Sequence, residues 1–497
     1  MKTSRPLNPL TTPSTLSRFG ITMGALVLTA CGSMPASDVT ALLNRTDAAM
    51  GGTALKSIQF DASGSGGIFG QAYQPGMAWP KLTVNMFSRV MDYEGAALRQ
   101  DFAQQRAEPT GGGAVPLIGQ GEQRATQLLK GANAWNMAGP APQPAPLAVS
   151  GRVHDLWTSP HGAIKAALKN NSGARTVNEN GQQYTAVSFG QPGYFTATAY
   201  INASNLVERV ESVQPSPVMG DTAATTWYSD YKDVGGVKFP MRIRQNMGGY
   251  EVYDLAVKEV KPNVAVTIDV PAIVPAFAER AVPEKVADGI WYMAGGSHHS
   301  VAIEMADHMI VVEAPLYDGR TGAMLAEVKK LSNKPIKYVI NSHHHFDHAG
   351  GLRTAAAQGA EIVTSGIARP FFERVMNNPN TVAPDALAKS GKRATVSGVD
   401  GKRVFTDGKR DVEVHFIDGS VHAVGFNMVY LPQEKLLIQA DAYTPGPPNT
   451  PTPARINDNH KALVDNMDRL KLNVERIMPL HGRVVPVAEL YTAVGRK

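Results

Sequence analysis

Two rhythms of apolar and polar positions divide this chain. From about residue 284 onward, short apolar runs alternate with helical stretches. Gly289-Ile290-Trp291-Tyr292-Met293, Ser300-Val301-Ala302-Ile303-Glu304-Met305 and Met309-Ile310-Val311-Val312-Glu313 read as an opening meander of strands. A helix pattern then covers about 322–331. Ile336-Lys337-Tyr338-Val339-Ile340 reads as another strand, Gly350-Gly351 opens a second helical stretch, and Ala360-Glu361-Ile362-Val363-Thr364 returns to strand. Such alternation predicts an α/β domain with a mixed sheet covered by helices.

Upstream the period is two. Tyr184-Thr185-Ala186-Val187-Ser188-Phe189 and the runs at 194–201 and 206–211 alternate, and 227–240 reads as a hairpin with Gly235-Gly236 at its turn. Residues 31–275 therefore predict an antiparallel β-rich domain with few helices, interrupted by the Pro/Ala-rich break at 138–146. Pro271, Pro275 and Pro283 stiffen a junction before the second domain, 284–497. The β-rich rhythm loosely resembles the half-barrels of periplasmic lipoprotein carriers, at the level of fold alone. It offers a cavity for an apolar ligand, but a spacer or support for the second domain is the reading preferred on sequence.

The first thirty residues change the picture of location. Lys2, Arg5 and Arg18 precede an apolar run at 19–30, and no acidic residue occurs before Asp38. The run is too short to span a bilayer and reads as an export signal, residues 1–30. Leu28-Thr29-Ala30-Cys31-Gly32 resembles a bacterial lipoprotein processing box, and Cys31 is the chain's one cysteine, which excludes an intramolecular disulfide and points to lipidation. The expectation is an exported protein tethered by Cys31 to the periplasmic face of a membrane, the outer membrane being favoured because Gly32 is not an aspartate. Without residues 1–30 the chain holds 45 Lys and Arg against 43 Asp and Glu, which gives no case for nucleic acid.

Chemistry is concentrated at His343-His344-His345-Phe346-Asp347-His348, on a loop between a strand and a helix. Alternate residues of an extended segment point the same way, so His343 and His345 can grip one ion while the turn swings Asp347 and His348 toward a second. Imidazole nitrogen and carboxylate oxygen suit zinc and similar ions. Two ions need more donors. His422 follows a strand-like stretch, Asp441 ends the apolar run Leu436-Leu437-Ile438-Gln439-Ala440, and His481 ends Ile477-Met478-Pro479-Leu480.

Together these residues resemble the ligand pattern of metallo-β-lactamase-fold hydrolases, in order and approximate spacing. The resemblance implies an αβ/βα four-layer sandwich from about 284 to the end. It places His343, His345 and His422 on one metal and Asp347, His348 and His481 on the other, with Asp441 bridging two divalent ions, most simply zinc. A water between two such ions loses its proton near neutral pH and attacks a carbonyl or related centre, with Asp347 orienting it as a catalytic residue. Lactone, ester, thioester, β-lactam and phosphoester bonds in a small-molecule substrate are all open. Two-zinc β-lactamases fit less well, because Asp441 stands where a cysteine is usual. The alternatives are a β-lactamase, a mononuclear iron sulfur dioxygenase and a non-catalytic ligand-binding lipoprotein.

The remaining polar residues of this region carry blander readings. His344 should point away from its neighbours and pack or support the site. His298 and His299, after Gly295-Gly296, read as exposed loop histidines that could meet substrate. Tyr443 reads as a packed tyrosine and His415 as a strand residue facing the outer side, while the stretch from Phe371 to Val399 should build one wall of the cleft.

Overall fold

The computed structural model describes residues 34–496 apart from 114, 117 and 138, so the expected leader and Cys31 lie outside the described residues. Among the described residues, thirteen strands form one sheet in which every neighbour is antiparallel. Its first strand, Ser57–Gly67, pairs with its last, Tyr250–Pro262, which joins two meanders into one surface. The alternation seen in the sequence is the burial pattern of strands such as Val207–Ser216. At the hairpin turn Gly235 and Gly236 both take positive φ, the backbone a two-residue turn requires.

Three helices lie against this sheet: α1 (Ala36–Ala49), α2 (Val149–Thr158) and α3 (Pro160–Asn170). In α1, Val39, Leu42, Leu43 and Thr46 recur at helical spacing and are buried. α3 starts where Ser159 Oγ accepts from Gly162 N–H and Pro160 occupies the first turn. Leu43, Leu156 and Ile164 share a core with Phe60, Phe87 and Phe239 of the strands. Fully burying each such side chain contributes roughly 1.5–3 kcal/mol. Residues 264–281 contain no helix or strand, but Ile268 and Val274 pack on Ala97 and Trp135, so the proline-rich junction is fastened to the first domain.

The second domain begins with the strand Val282–Ala287, slightly ahead of the expected residue 284. A seven-stranded sheet faces a six-stranded one across a core that includes Val301, Ile303 and Ile310 from one side and Val414, Leu437 and Ile438 from the other. Helix α4 (Asp318–Leu331), α5 (Phe346–Ala349) and α6 (Leu352–Ala357) cover the outer face of the first of these sheets, through Leu325, Val328 and Leu352. Helix Asp458–Arg469 contributes Leu463, Val464 and Met467 to the other side, completing helix, sheet, sheet, helix. α4 starts one turn earlier than the pattern indicated, because Asp318 anchors it by accepting from Ala386 N–H and Thr354.

Strands Met309–Val312, Ile336–Ile340, Glu361–Ser365 and Val396–Val399 run parallel. Parallel neighbours need crossovers, so their C-terminal ends all open into connecting loops on one edge. Those loops build the site.

Candidate metal centre

His343 Nε2, His345 Nδ1 and His422 Nε2 form a triangle with sides of 2.9, 2.9 and 3.1 Å. A ring nitrogen either donates or accepts, never both, so three nitrogens this close cannot all satisfy one another by hydrogen bonding. A cation among them can satisfy all three. Imidazole nitrogens tetrahedrally bound to zinc stand about 3.3 Å apart, close to the spacing here. Asp441 Oδ2 lies 2.8 Å from His422 Nε2 and 3.7 Å from His343 Nε2, adding a carboxylate to the group.

The other oxygen of Asp441 serves a second cluster. Oδ1 lies 3.1 Å from His348 Nε2 and 2.9 Å from His481 Nε2, and is buried without a well-directed hydrogen bond. The two imidazoles are 3.1 Å apart at the same nitrogens. Asp347 Oδ2 stands 3.6 Å from His348 Nε2 and 3.1 Å from His298 Nε2. Within each group, His343/His345/His422/Asp441 and His298/Asp347/His348/His481, one donor atom per residue falls within 4.8 Å of every other. Each group could hold a metal ion, and Asp441 offers one oxygen toward each.

The far ring nitrogens are also committed. His345 Nε2 meets the Ala72 carbonyl at 2.9 Å, His481 Nδ1 the Ser297 carbonyl at 2.8 Å, His343 Nδ1 the Ser342 hydroxyl at 2.9 Å and His348 Nδ1 the Glu313 carboxylate at 3.1 Å. Where a histidine donates its distal N–H in this way, its other nitrogen presents a lone pair to the centre. Glu313 is fully buried, takes φ +75, and also accepts from Asn341 and Ser342. A glutamate in the left-handed region costs of order 1 kcal/mol, held here by that network.

Charge favours cation binding as well. Burial, reinforced by neighbouring imidazoles, keeps His343 and His345 well below the ordinary histidine range, hence neutral donors. For Asp347 and Asp441, burial acts to raise the carboxyl pKa, but His348 and its neighbours outweigh it and hold both carboxylates ionised. His348 is pushed well above its ordinary value against the effect of burial, because Asp441 and Asp347 face it. Two carboxylates thus demand positive charge at that spot.

Residues 295–481 match the family model of the metallo-beta-lactamase superfamily. They form a metallo-beta-lactamase domain. A linear primary-alkylsulfatase from Pseudomonas sp. is 27% identical over 219 residues, covering 37% of this chain and 41% of that protein. The alpha subunit of a 2,4-dinitroanisole O-demethylase from Nocardioides sp. is 25% identical over 183 residues, 36% of this chain and 52% of that subunit. The chain therefore spans about half the length, or less, of these relatives. Among solved structures, a metallo-beta-lactamase from Pontibacter korlensis matches 44% of this chain and 98% of its own at 18% identity, with a TM-score of 0.34.

The metallo-beta-lactamase domain brings His343, His345, Asp347, His348, His422, Asp441 and His481 to one centre from four loops. His344 points away, its Nε2 on the Ala72 carbonyl at 2.7 Å, and Tyr443 is packed against His460. His415 lies on the face opposite Val414 and pairs with Glu413 at 2.7 Å. The reading of His298 and His299 as exposed requires correction. His298 has a side chain only 11% exposed and belongs to the second cluster, while His299 is buried with Nδ1 accepting from Gly295 N–H. The backbone bond from His299 N–H to Leu480 O folds their hairpin onto the loop carrying His481.

Three contributors had little sequence signal. Glu313 ends an apolar strand, and a carboxylate there was the one available clue. Gln71 and Ala72 come from the other domain. Gln71 Nε2 donates to Asp347 Oδ1 at 2.7 Å, and the Ala72 carbonyl serves both His344 and His345. Around them Tyr73 Oη donates to Ser420 O, Gly111 N–H to Val421 O and Phe346 N–H to Gly70 O. A Cβ on Gly112 would stand 2.3 Å from the ring of His345, so glycine is required for this approach. Of the two roles preferred on sequence, spacer or support, these contacts are of the supporting kind. The N-terminal domain also shares a cavity of about 550 Å3 that has Asp347 in its wall, together with Asn380 and Pro384 of the expected cleft wall.

Proposed function

We propose that the protein is a dinuclear metal-dependent hydrolase acting on an ester-type bond of a small molecule. The observation that carries this reading is Asp441 placed with one oxygen toward each of two histidine-rich clusters. Two divalent cations held there would acidify a water and polarise the oxygen of the bond to be broken. Asp347, kept ionised and held by Gln71 at Oδ1, is a weak base, so it orients the attacking water through its hydrogen bond rather than removing the proton outright. Water adds across the bond, which breaks to give an acid and an alcohol, a thiol in place of the alcohol for a thioester, or a single hydroxy acid for a lactone. His343 and His345 stay neutral, and the Ser342 hydroxyl and the Ala72 carbonyl hold them in place.

The bond is a carboxylic ester, lactone or thioester, with a sulfate ester as the second reading, favoured by the alkylsulfatase relative. Elemental analysis of the purified protein, followed by turnover of chromogenic ester, lactone, β-lactam and sulfate-ester substrates, tests the proposal. Two divalent ions per chain and hydrolysis of one class are expected. One iron per chain with oxygen consumption would overturn it in favour of a dioxygenase. We further propose that the chain is exported and lipid-anchored at Cys31; mass spectrometry should find acyl chains on the mature N-terminus, and Cys31→Ala should release the protein from membranes.

A further inference from the structure

Resting on the hydrolytic reading, we infer that the substrate carries an uncharged apolar chain and that the N-terminal domain binds it. The space for that chain begins at the metal centre. Asp347 lines the cavity of about 550 Å3, along with Phe69, Leu147 and Met247 from the first domain and Leu316 and Phe346 from the second. A further cavity of about 290 Å3 adjoins it and reaches the strands of the first sheet at Leu82, Phe102 and Val252. Phe69, Gly151, Gln214 and Met247 line both, so they form the neck between the two.

Charge selects among ligands. No lysine or arginine lines either cavity among the described residues. The carboxylates present are mostly committed: Asp385 pairs with Arg353, Asp155 with Arg89, and Asp318 accepts from Thr354 and Ala386. An anionic chain would find no lysine or arginine in the lining to pair with, whereas a neutral apolar chain needs no such partner on leaving water. Leu147 is 42% exposed beside the first cavity, an apolar residue left at its rim. In the second cavity the lining includes the amides of Gln100, Gln104, Gln127 and Gln245, which ends the apolar path and limits chain length.

The test uses the full metal-loaded protein with p-nitrophenyl esters from acetyl to dodecanoyl and, as non-cleaved ligands, the saturated amides of the same lengths. Each methylene buried should raise kcat/KM, and tighten amide binding measured by calorimetry, about three- to fourfold until the cavity is full. A Cβ at Gly151 meets only Gln214 Oε1, at 3.9 Å, so Gly151→Leu projects into the neck. It should lower the decanoyl-to-acetyl ratio tenfold or more, and Leu147→Asn should lower it in the same direction at the rim. Rates and affinities independent of chain length, or a preference for alkylammonium ligands, would overturn the inference. Amides that bind with the expected length dependence while neither these esters nor the lactone, β-lactam and sulfate-ester substrates are cleaved would leave the chain site standing and remove the hydrolytic reading; cleavage with flat profiles would do the reverse.

Discussion

The two sheets that dominate this molecule differ in strand direction, and that difference decides which domain carries the chemistry. In the N-terminal sheet every neighbour is antiparallel, so successive strands close through turns at alternate edges. The seven-stranded sheet of the C-terminal domain runs four strands parallel, so crossover loops collect at one edge. There the loops after Val312 and Ile340 meet those carrying His422, Asp441 and His481. The antiparallel domain contributes a surface and two reaching loops instead. Reactive groups gather where chain direction gathers loop ends, and walls come from the sheet that lacks them.

If the division of labour holds, removing a donor should damage one domain and spare the other. His345→Ala is expected to abolish activity and lose an ion from each chain, read by elemental analysis, while the N-terminal fold persists by circular dichroism. The opposite lesion is Phe239→Ala, which removes the ring contacts of Phe239 with Phe60 and His161 in the first core. It should cost about 3–5 kcal/mol in denaturant unfolding of that domain, and retained metal content in the folded fraction would mark the separation. Loss of metal in the same fraction would show the domains to be one cooperative unit.

Gln71→Ala probes the seam. Although it lies in the domain without metal ligands, it should lower metal affinity or kcat/KM about 10- to 100-fold by freeing Asp347, and an unchanged enzyme would confine the N-terminal domain to wall-building. The smallest effect concerns acid. Burial pushes His161 down to about 4, so the folded first domain keeps it neutral while the unfolded chain protonates it near 6.5. Its contribution is complete above pH 6.5 and declines as pH falls toward 4, amounting to about 2 kcal/mol lost at pH 5. Urea midpoints at pH 7 and pH 5 should separate accordingly, and His161→Gln should narrow the gap.

Legibility in the sequence followed locality. The meander from Gly289 to Glu313 and the hairpin around Gly235-Gly236 were readable because periodicity and turn residues act over a few positions. α4 was read short because Gly319 and Gly322 weaken the pattern in a first turn that Asp318 anchors from outside. α3 carries three alanines and a glycine, so its buried face offers few large side chains to read, and α2 buries the polar Arg152 and His154 beside Leu156 and Trp157, which blurs the apolar stripe. His298 was misjudged because its burial depends on the loop of His481 folding over it.

By itself, the sequence pointed to seven of the eight His and Asp side chains that the fold gathers into two neighbouring groups, missing His298. Coordination chemistry requires particular residue types at strand ends, and those are written in short motifs. Only the tertiary structure decided that Gln71 and Ala72 support the centre, that Glu313 orients His348, and that a cavity runs into the N-terminal domain. Gln71 and Asp347 are 276 positions apart in the chain, and no local pattern specifies such a meeting. It is fixed by apolar contacts between the domains, such as Phe346 against Phe69 and Trp79, and by glycines at 70 and 112 that let one backbone come within reach of the other.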